Sequence, residues 1–314
     1  MRGSPRNILE RIGNTPLLPL RNVVPGNGAR ILLKIESENP TGGMKDRMAL
    51  AMIEAAEADG RLAPGGAVVE YTGGSTGVSL SLVCAVKGYP LHIVSSDAFT
   101  REKLDHMRIL GARLKVIPSD GGRMTQELFR SKIAAAAEIV KETGGFWTNQ
   151  LDNPDQLTAY QKMGAEIWAQ TEGHINGFVQ CVGTAASLRG NAETLRRHNR
   201  KIRIVAVEPA ESPVLSGGAP GAHMIDGIGI GFVPPLWDSG VPDQIERVST
   251  EDAMKMALRL AREEGIFVGT STGANVVAAL RVAQQMGPDA TIATLMVDTG
   301  MKYLRTFGAR LDQS

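Results

Sequence analysis

A single lysine stands where a Gly-rich turn enters a predicted helix, in the stretch ENPTGGMKDRMALAMIEAAE at 38–57. The N-terminus of a helix carries partial positive charge, so Asp, Glu, Ser and Thr are the residues usually found there. A cation at this place is either solvated or serves chemistry that uses a lysine with a lowered pKa. Lys45 is therefore the first residue to weigh as a reactive group, and the other motifs decide between the two interpretations.

Three loops rich in Gly, Ser and Thr could bind an anion. They are VGTAASLRG at 182–190, YTGGSTGVSL at 71–80 and VGTSTGANVVAAL at 268–280, and each is predicted to follow a strand and open a helix. Small residues allow consecutive backbone N–H groups to point at one oxyanion, and the helix dipole adds favourable potential. Each loop alone is also compatible with a tight turn, because no Walker lysine or GxGxxG is present. Together with Lys45, they favour a small polyanionic cofactor held mainly by backbone groups.

The elements that carry these loops alternate along the chain. Short apolar runs rich in β-branched residues predict strands at 29–37, 66–72, 90–96, 113–119, 177–183, 202–209 and 291–298. Helical patterns lie at 45–59, 78–87, 100–111, 124–143, after Ser187 and at 250–264. Such alternation predicts an α/β protein with mostly parallel sheets and helices on both faces. The Gly- and Pro-rich segment 217–240 lacks periodicity and is predicted to be an active-site loop.

The composition excludes several classes of function. A length of 314 residues suits one large or two medium domains, and a net charge of +1 argues against nucleic acid or an anionic membrane as partner. No apolar run reaches transmembrane length, and the N-terminus lacks the apolar core of a signal peptide. Cys84 and Cys181 have no CxxC or His neighbours, and the five histidines show no metal spacing. We therefore expect a cytoplasmic protein with free buried thiols and no metal site.

Four motifs, in order, resemble those of one known family. NPTGGMKDR, TGGSTG, GTAAS and GTSTGA are similar to the NPxxSxKDR, TSGNTG, GTGGT and GxSxGA of the cysteine synthase and cystathionine β-synthase family, whose members are fold-type II enzymes that use pyridoxal 5′-phosphate. The stretches IGNTPLLPL, QLDNP, VEPAESPVL and DGIGIGFVP also look like their counterparts. The resemblance runs from Ile12 to about Leu304.

The resemblance implies a fold and a domain organisation. It implies two three-layer αβα domains with mostly parallel sheets, similar to the β subunit of tryptophan synthase, with the active site in the cleft between the domains. Residues 1–38 and 146–314 would form a large cofactor-binding domain, and residues 39–145 a smaller, mobile substrate-binding domain. A homodimer is implied as well.

The resemblance also implies roles for individual residues. Lys45 would form a Schiff base with the aldehyde of pyridoxal 5′-phosphate, and Ser271 would meet the pyridine nitrogen. The residues that would cradle the cofactor phosphate are Gly183, Thr184, Ala185, Ala186 and Ser187. Ser75 would contact the 3′-oxygen of the cofactor. The residues that would receive the substrate carboxylate are Thr72, Gly73, Ser75, Thr76 and Gln150, and Gly227 would line the mouth of the cleft near the substrate amino group.

The reaction implied is β-replacement on a serine-derived amino acid. The freed Lys45 amine would remove the α-proton as general base, and expulsion of the β-substituent would leave an aminoacrylate to which a nucleophile adds. A neutral serine at the pyridine nitrogen cannot hold that nitrogen protonated as an aspartate would, which favours rapid loss of the leaving group. O-acetyl-L-serine and sulfide, giving L-cysteine and acetate, are the expected substrates and products.

Departures from the family pattern leave other functions open. Ser75 replaces the family asparagine of TSGNTG, Gly73 replaces its serine, and GTAAS carries two alanines that adopt positive φ less readily than glycine. One alternative is β-elimination by a cysteine or serine lyase, and another is the synthesis of a specialised non-protein amino acid. A third, from a different class, is a non-catalytic small-molecule-binding protein, for which Lys45 would be dispensable and the purified protein colourless.

Overall fold

The computed structural model describes residues 5–26, 29–122 and 125–311. The strands are β1 (Leu17–Pro19), β2 (Arg30–Ile35), β3 (Val68–Tyr71), β4 (Leu91–Ser96), β5 (Arg113–Ile117), β6 (Phe146–Trp147), β7 (Gly177–Cys181), β8 (Arg203–Pro209), β9 (Gln244–Val248) and β10 (Thr291–Met296). The α-helices are α1 (Lys45–Asp59), α2 (Ser75–Lys87), α3 (Arg101–Ile109), α4 (Gln126–Thr143), α5 (Gln156–Gln170), α6 (Ala186–His198), α7 (Thr250–Arg259), α8 (Thr270–Met286) and α9 (Leu304–Leu311).

The chain folds into two compact units. Unit 1 holds the described residues up to Ile12 together with Lys45–Gln156, and unit 2 holds Gly13–Met44 and the described residues from Leu157 onward. The predicted smaller domain, 39–145, thus differs in its bounds from unit 1, which starts its long segment at Lys45 and continues to Gln156. The cofactor- and substrate-binding roles assigned to the two domains stay a prediction.

Unit 1 is built on a four-stranded sheet in the order β5-β4-β3-β6. All of its pairings are parallel. Every residue of β3 is buried, which requires that both faces of this strand be covered, as in α/β proteins. Its core includes Val69, Tyr71, Val94 and Ile139.

Unit 2 is built on a six-stranded sheet in the order β1-β2-β10-β7-β8-β9. Only the pairing of β1 with β2 is antiparallel. The strands β7 and β10 are buried along their whole length, and the apolar residues of α8 belong to the same core as those of β7 and β10. The predicted α/β fold with mostly parallel sheets is confirmed.

Most of the predicted elements exist, with shifts at their ends. The helix predicted at 45–59 is α1 with the same bounds, whereas α2 starts at Ser75 and not at residue 78. The helix predicted at 250–264 is α7 followed by a π-helical turn, Leu260–Glu264. The helix predicted at 124–143 is α4, which begins at Gln126. Met124 lies outside the described residues. As predicted, 217–240 contains no helix or strand.

The described ranges lack two kinds of feature. None of their helices is long and apolar enough to cross a membrane. In the same ranges no three His, Cys, Asp or Glu side chains are grouped so that they could hold a metal ion. Both cysteines are buried and free.

Candidate active site

In unit 2, the loop between β7 and α6 presents an open helix start. The N-cap residue of α6 is Ala185, whose φ of +70° lies in the left-handed region and whose side chain caps nothing. The first backbone N–H groups of a helix have no partner within the helix. Because no side chain among the described residues caps α6, the N–H groups of Ala186 and Ser187 can bind an anion, with the helix dipole in support.

The same loop lies against Gly227. A Cβ added to Gly183 would sit 2.5 Å from the carbonyl oxygen of Gly227, so this backbone approach requires glycine at residue 183. Gly227 has a φ of +81°, a second conformation that favours glycine. Gly229 N donates to the Val182 carbonyl at 3.3 Å and ties the segment after Gly227 to the loop. The structure thus brings Gly227 to the predicted phosphate loop.

Ser187, in the first turn of α6, has its hydroxyl oriented by a buried amide. Gln180 Nε2 donates to Ser187 Oγ at 2.9 Å, so the hydroxyl proton of Ser187 is available for another acceptor. The same Nε2 lies 3.7 Å from Met44 Sδ. Met44 N in turn donates to the Val297 carbonyl at 2.9 Å. The residue directly before Lys45 is therefore fixed, within unit 2, at the end of β10 and beside the partner of Ser187.

Ser271 lies in the first turn of α8 at the carboxyl end of β7. Its side chain is buried, and its carbonyl oxygen accepts a hydrogen bond from Cys181 Sγ at 3.4 Å. Cys181 N donates to Asn275 Oδ1 at 2.7 Å, one turn further along α8. The N-cap of α8 is Gly269, which has no capping side chain. The prediction that a strand precedes this loop is wrong, since only an isolated bridge of Val268 with Thr299 lies there.

In unit 1, the loop between β3 and α2 has a similar open helix start. Gly74 is the N-cap of α2 and no side chain caps the helix, so the loop is not a Ser/Thr-capped turn. Thr125 and Ser249, by contrast, accept hydrogen bonds from the first turns of α4 and α7. An uncapped start alone does not identify a binding loop, because Thr100 does not cap α3 either. What distinguishes the β3–α2 loop is the set of polar side chains around it.

Gln150 is the central member of that set. Thr76 Oγ1 donates to Gln150 Oε1 at 2.7 Å, and Gln150 Nε2 lies 3.5 Å from the carbonyl oxygen of Tyr71. Gln156 Nε2 donates to the Gln150 carbonyl at 2.6 Å. The residues of the predicted carboxylate site are thus neighbours in unit 1, and the amide of Gln150 faces the loop.

Glu70, which the motifs did not single out, fixes this arrangement. Its side chain is fully buried, and its oxygens accept hydrogen bonds from Tyr71 N at 2.8 Å, Thr148 Oγ1 at 2.7 Å and Gln150 N at 3.0 Å. Burial raises the pKa of Glu70 to about 7, although these three hydrogen bonds and the charge of Lys132 oppose the rise. The sequence signal was a lone acid in the strand GAVVEYT, where every other residue is apolar, Gly, Tyr or Thr.

Gly73, in the same loop, is covered by an aromatic ring. A Cβ built on Gly73 would lie 1.8 Å from Cδ2 of Phe99, so the ring fills the space that a side chain at residue 73 would need. Phe99 follows β4, and no sequence pattern indicates its contact with Gly73. The absence of a side chain at Gly73 therefore opens no space in this conformation, because Phe99 occupies it.

Lys45 is the first residue of α1 and is half-buried. The next residue, Asp46, is fully buried and accepts a hydrogen bond from Ser79 Oγ at 2.6 Å, which links α1 to α2. Within unit 1, the start of α1 is thus anchored by Asp46, the residue after Lys45.

The predicted residues fall into one set in each unit. Unit 1 holds Lys45, Thr72, Gly73, Ser75, Thr76 and Gln150, and unit 2 holds Gly183, Thr184, Ala185, Ala186, Ser187, Gly227 and Ser271. The unit 2 set offers uncapped N–H groups and an oriented hydroxyl for a phosphate, and a buried serine for a ring nitrogen. These donors fit pyridoxal 5′-phosphate, whose other requirement is an amine such as that of Lys45.

Comparisons with known proteins agree with this fit. The family model described as "Pyridoxal-phosphate dependent enzyme" matches residues 8–298. A cysteine synthase of Staphylococcus aureus (strain Mu50) is 40% identical over 302 residues, which cover 96% of each chain. The crystal structure of O-acetyl serine sulfhydrylase isoform 3 from Entamoeba histolytica is 38% identical, with a TM-score of 0.88 over 97% of this chain and 93% of that one. The crystal structure of an O-ureido-L-serine synthase is 34% identical, with a TM-score of 0.91 over 97% of this chain and 95% of that one.

Proposed function

Because the chain belongs to the family of pyridoxal-phosphate dependent enzymes, we propose that it is a transferase that performs β-replacement on O-acetyl-L-serine. Sulfide would be the nucleophile, and L-cysteine and acetate the products. The cofactor is pyridoxal 5′-phosphate. The observation that carries the proposal is the 40% identity with a cysteine synthase over 96% of both chains.

The cofactor would be held by both its ends. We assign its phosphate to the backbone N–H groups of Gly183–Ser187 and to the hydroxyl of Ser187, which the amide of Gln180 leaves free to donate. The amine of Lys45 would attach the cofactor covalently, and the hydroxyls of Ser271 and Ser75 would meet the ring nitrogen and the 3′-oxygen. When bound, the cofactor supplies an electron sink for the carbanion formed at the substrate α-carbon.

The remaining residues would orient the substrate and move its proton. The uncapped start of α2 and the amide of Gln150, held by Thr76 at 2.7 Å, would receive the α-carboxylate. Gly227 would border the substrate amino group. Lys45 would take the α-proton as general base once the substrate has displaced its amine, and would return the proton after the nucleophile has added.

A second candidate is the synthesis of a non-protein amino acid by the same β-replacement with another nucleophile. It is favoured by Gly73 and Ser75, since both depart from the TSGNTG pattern in the carboxylate loop. The O-ureido-L-serine synthase among the similar structures gives this candidate a concrete form. Hydroxyurea would then take the place of sulfide, because addition of its hydroxyl oxygen gives O-ureido-L-serine.

One experiment separates these functions. The purified holoprotein is mixed with O-acetyl-L-serine and either sulfide, hydroxyurea or no nucleophile, and cysteine, O-ureido-L-serine and pyruvate are quantified. Cysteine as the fastest product supports the proposal, O-ureido-L-serine supports the second candidate, and pyruvate without a nucleophile indicates β-elimination. A protein without a visible absorption band that borohydride removes, and without any of these products, would contradict all three.

We also propose that the protein works in the cytoplasm as a homodimer. Two buried, free cysteines suit a reducing compartment. The dimer is what the resemblance to the cysteine synthase family implies, and sedimentation of the holoprotein at micromolar concentration tests it.

A further inference from the structure

Lys132, on α4 in unit 1, is a largely buried cation that lies beside two aromatic rings. Only 2% of its surface is exposed, and no hydrogen bond or ion pair joins its ammonium to a residue within the described ranges. Its contacts are aromatic: Nζ lies 4.8 Å from the ring centroid of Phe99 and 6.0 Å from that of Phe129. An ammonium has three donors, which are open to an acceptor that reaches them.

Glu70 attracts the charge of Lys132 but accepts no hydrogen bond from its ammonium among the described residues. Its oxygens accept instead from Tyr71 N, Thr148 Oγ1 and Gln150 N. Burial lowers the pKa of Lys132 to about 8 and Glu70 opposes the shift, so the side chain is mainly charged at neutral pH. The site therefore holds a cation to which no acceptor of the described residues is hydrogen-bonded.

The ammonium lies beside the predicted carboxylate loop. The ring of Phe99 contacts Lys132 and also packs on Gly73, and Glu70 on the neighbouring strand holds Gln150 at the same loop. Hydrogen bonds to a charged group usually stabilise a complex more than a contact between a cation and an aromatic ring does. An anion that reached this ammonium would therefore bind it better than the ring does.

We propose that Lys132 binds an anionic group of a substrate, a phosphate or a sulfonate-like group, carried by the leaving group of the donor or by the nucleophile. The inference rests on the proposed β-replacement and specifies its substrate class. Lys132 would thus select substrates that carry a negative charge besides the α-carboxylate.

The test compares charged and neutral substrates in the holoenzyme. One arm measures kcat/KM for O-phospho-L-serine relative to O-acetyl-L-serine with sulfide. The other measures thiosulfate relative to sulfide with O-acetyl-L-serine. Lys132→Met keeps the length of the side chain without its charge, and Lys141→Met, on the exposed face of the same helix, is the matched control.

One of the two ratios should fall about tenfold to a hundredfold in Lys132→Met, the range expected for loss of hydrogen bonds to a charged group. The ratio that falls identifies the substrate that carries the anion, and Lys141→Met should leave both unchanged. Unchanged ratios in Lys132→Met, or a parent enzyme that accepts neither charged substrate, would overturn the inference. If no donor reacts at all, the proposed function fails instead.

A binding measurement keeps the inference testable without turnover. The unfolding midpoint of the holoprotein is followed with sulfate and with chloride at equal ionic strength, for the parent, Lys132→Met and Lys132→Gln. General salt effects act on all three alike, whereas the proposed site adds stabilisation by sulfate in the parent only. Equal shifts in the parent and in whichever variant folds would refute a binding role for Lys132.

Discussion

The ring of Phe99 occupies the place of a side chain at residue 73, since a Cβ on Gly73 would lie 1.8 Å from the ring. We predict that Gly73→Ala lowers the free energy of unfolding by about 1–3 kcal/mol, the usual cost of overpacking. Chemical denaturation measures this loss. The neighbouring Gly74 has no atom within 4 Å of a built Cβ, so Gly74→Ala is a control that should change stability much less.

The same relationship predicts a coupling between the two residues. In Phe99→Ala the obstructing ring is gone, so adding Gly73→Ala should cost little further stability. A double-mutant cycle should therefore give a coupling free energy of about 1 kcal/mol or more. Strictly additive effects would mean that the ring yields to a methyl group without strain.

Lys45→Ala should abolish turnover and leave the fold intact. The variant lacks both the amine that attaches the cofactor and the proposed general base, and loss of a general base alone costs about 10²–10⁴ in rate. Steady-state kinetics give the loss, and the unfolding midpoint checks the fold. The exposed Lys141→Ala serves as control, and near-parental activity of Lys45→Ala would contradict the assigned role.

Ser271→Ala should lower activity only about two- to tenfold, because one neutral hydrogen bond worth about 0.5–1.5 kcal/mol is lost. Ser271→Asp should be far less active, since a buried carboxylate at this place would favour a protonated ring nitrogen and slow the loss of the leaving group. The visible spectrum during turnover and kcat report the difference. Equal activity of the two variants would remove the electronic argument for a neutral residue.

Ser75→Asn tests whether the carboxylate loop selects the donor. Asparagine offers both a donor and an acceptor, whereas serine has one rotatable hydroxyl on a shorter side chain. We expect Ser75→Asn to raise kcat/KM for O-acetyl-L-serine relative to kcat/KM for a second donor, O-phospho-L-serine. The measurement is the ratio of kcat/KM for two donors in parent and variant. A ratio that stays constant would favour plain cysteine synthesis.

Lys132 should also make the stability of the protein depend on pH. Burial lowers its pKa from 10.5 to about 8 in the folded state. Between these values the unfolded chain binds more protons, so the contribution of Lys132 to stability grows as the pH rises and is lost as it falls through 8. The difference in unfolding free energy between parent and Lys132→Met should therefore rise by about 2 kcal/mol from pH 8 to pH 10. A difference that does not change with pH would show that the ammonium is well solvated.

The sequence predicts best those helices and strands whose bounds depend on neighbouring residues in the chain. The start of α1 at Lys45 follows from the Gly-rich turn before it, and the strand β7 from a mostly apolar run interrupted by Gln180. The start of α2 was placed at residue 78, three residues late, because Ser, Thr and Gly are weak helix formers. Packing of the loop against β4, through Thr72 N and the Val94 carbonyl, overrides that weakness.

The contacts around the candidate site cannot be predicted from the local pattern of residues. Strands β1, β6 and β9 were not predicted, and all three lie at sheet edges, where they are short or partly exposed and carry little periodicity. Glu70 with Gln150 and Phe99 with Gly73 meet only after distant segments pair or pack. The spacing of residues along the chain carries no information about such meetings, which depend on strand order and side-chain direction.

Each unit contains one cysteine, Cys84 in unit 1 and Cys181 in unit 2. Burial raises the pKa of Cys84 to about 12 and that of Cys181 well above its usual range. Only a thiolate attacks a disulfide reagent, so neither thiol should be labelled while its unit stays closed. Two variants can be made, one that keeps only Cys84 and one that keeps only Cys181. The rate at which each variant is labelled would then report how often the unit that contains the remaining cysteine opens.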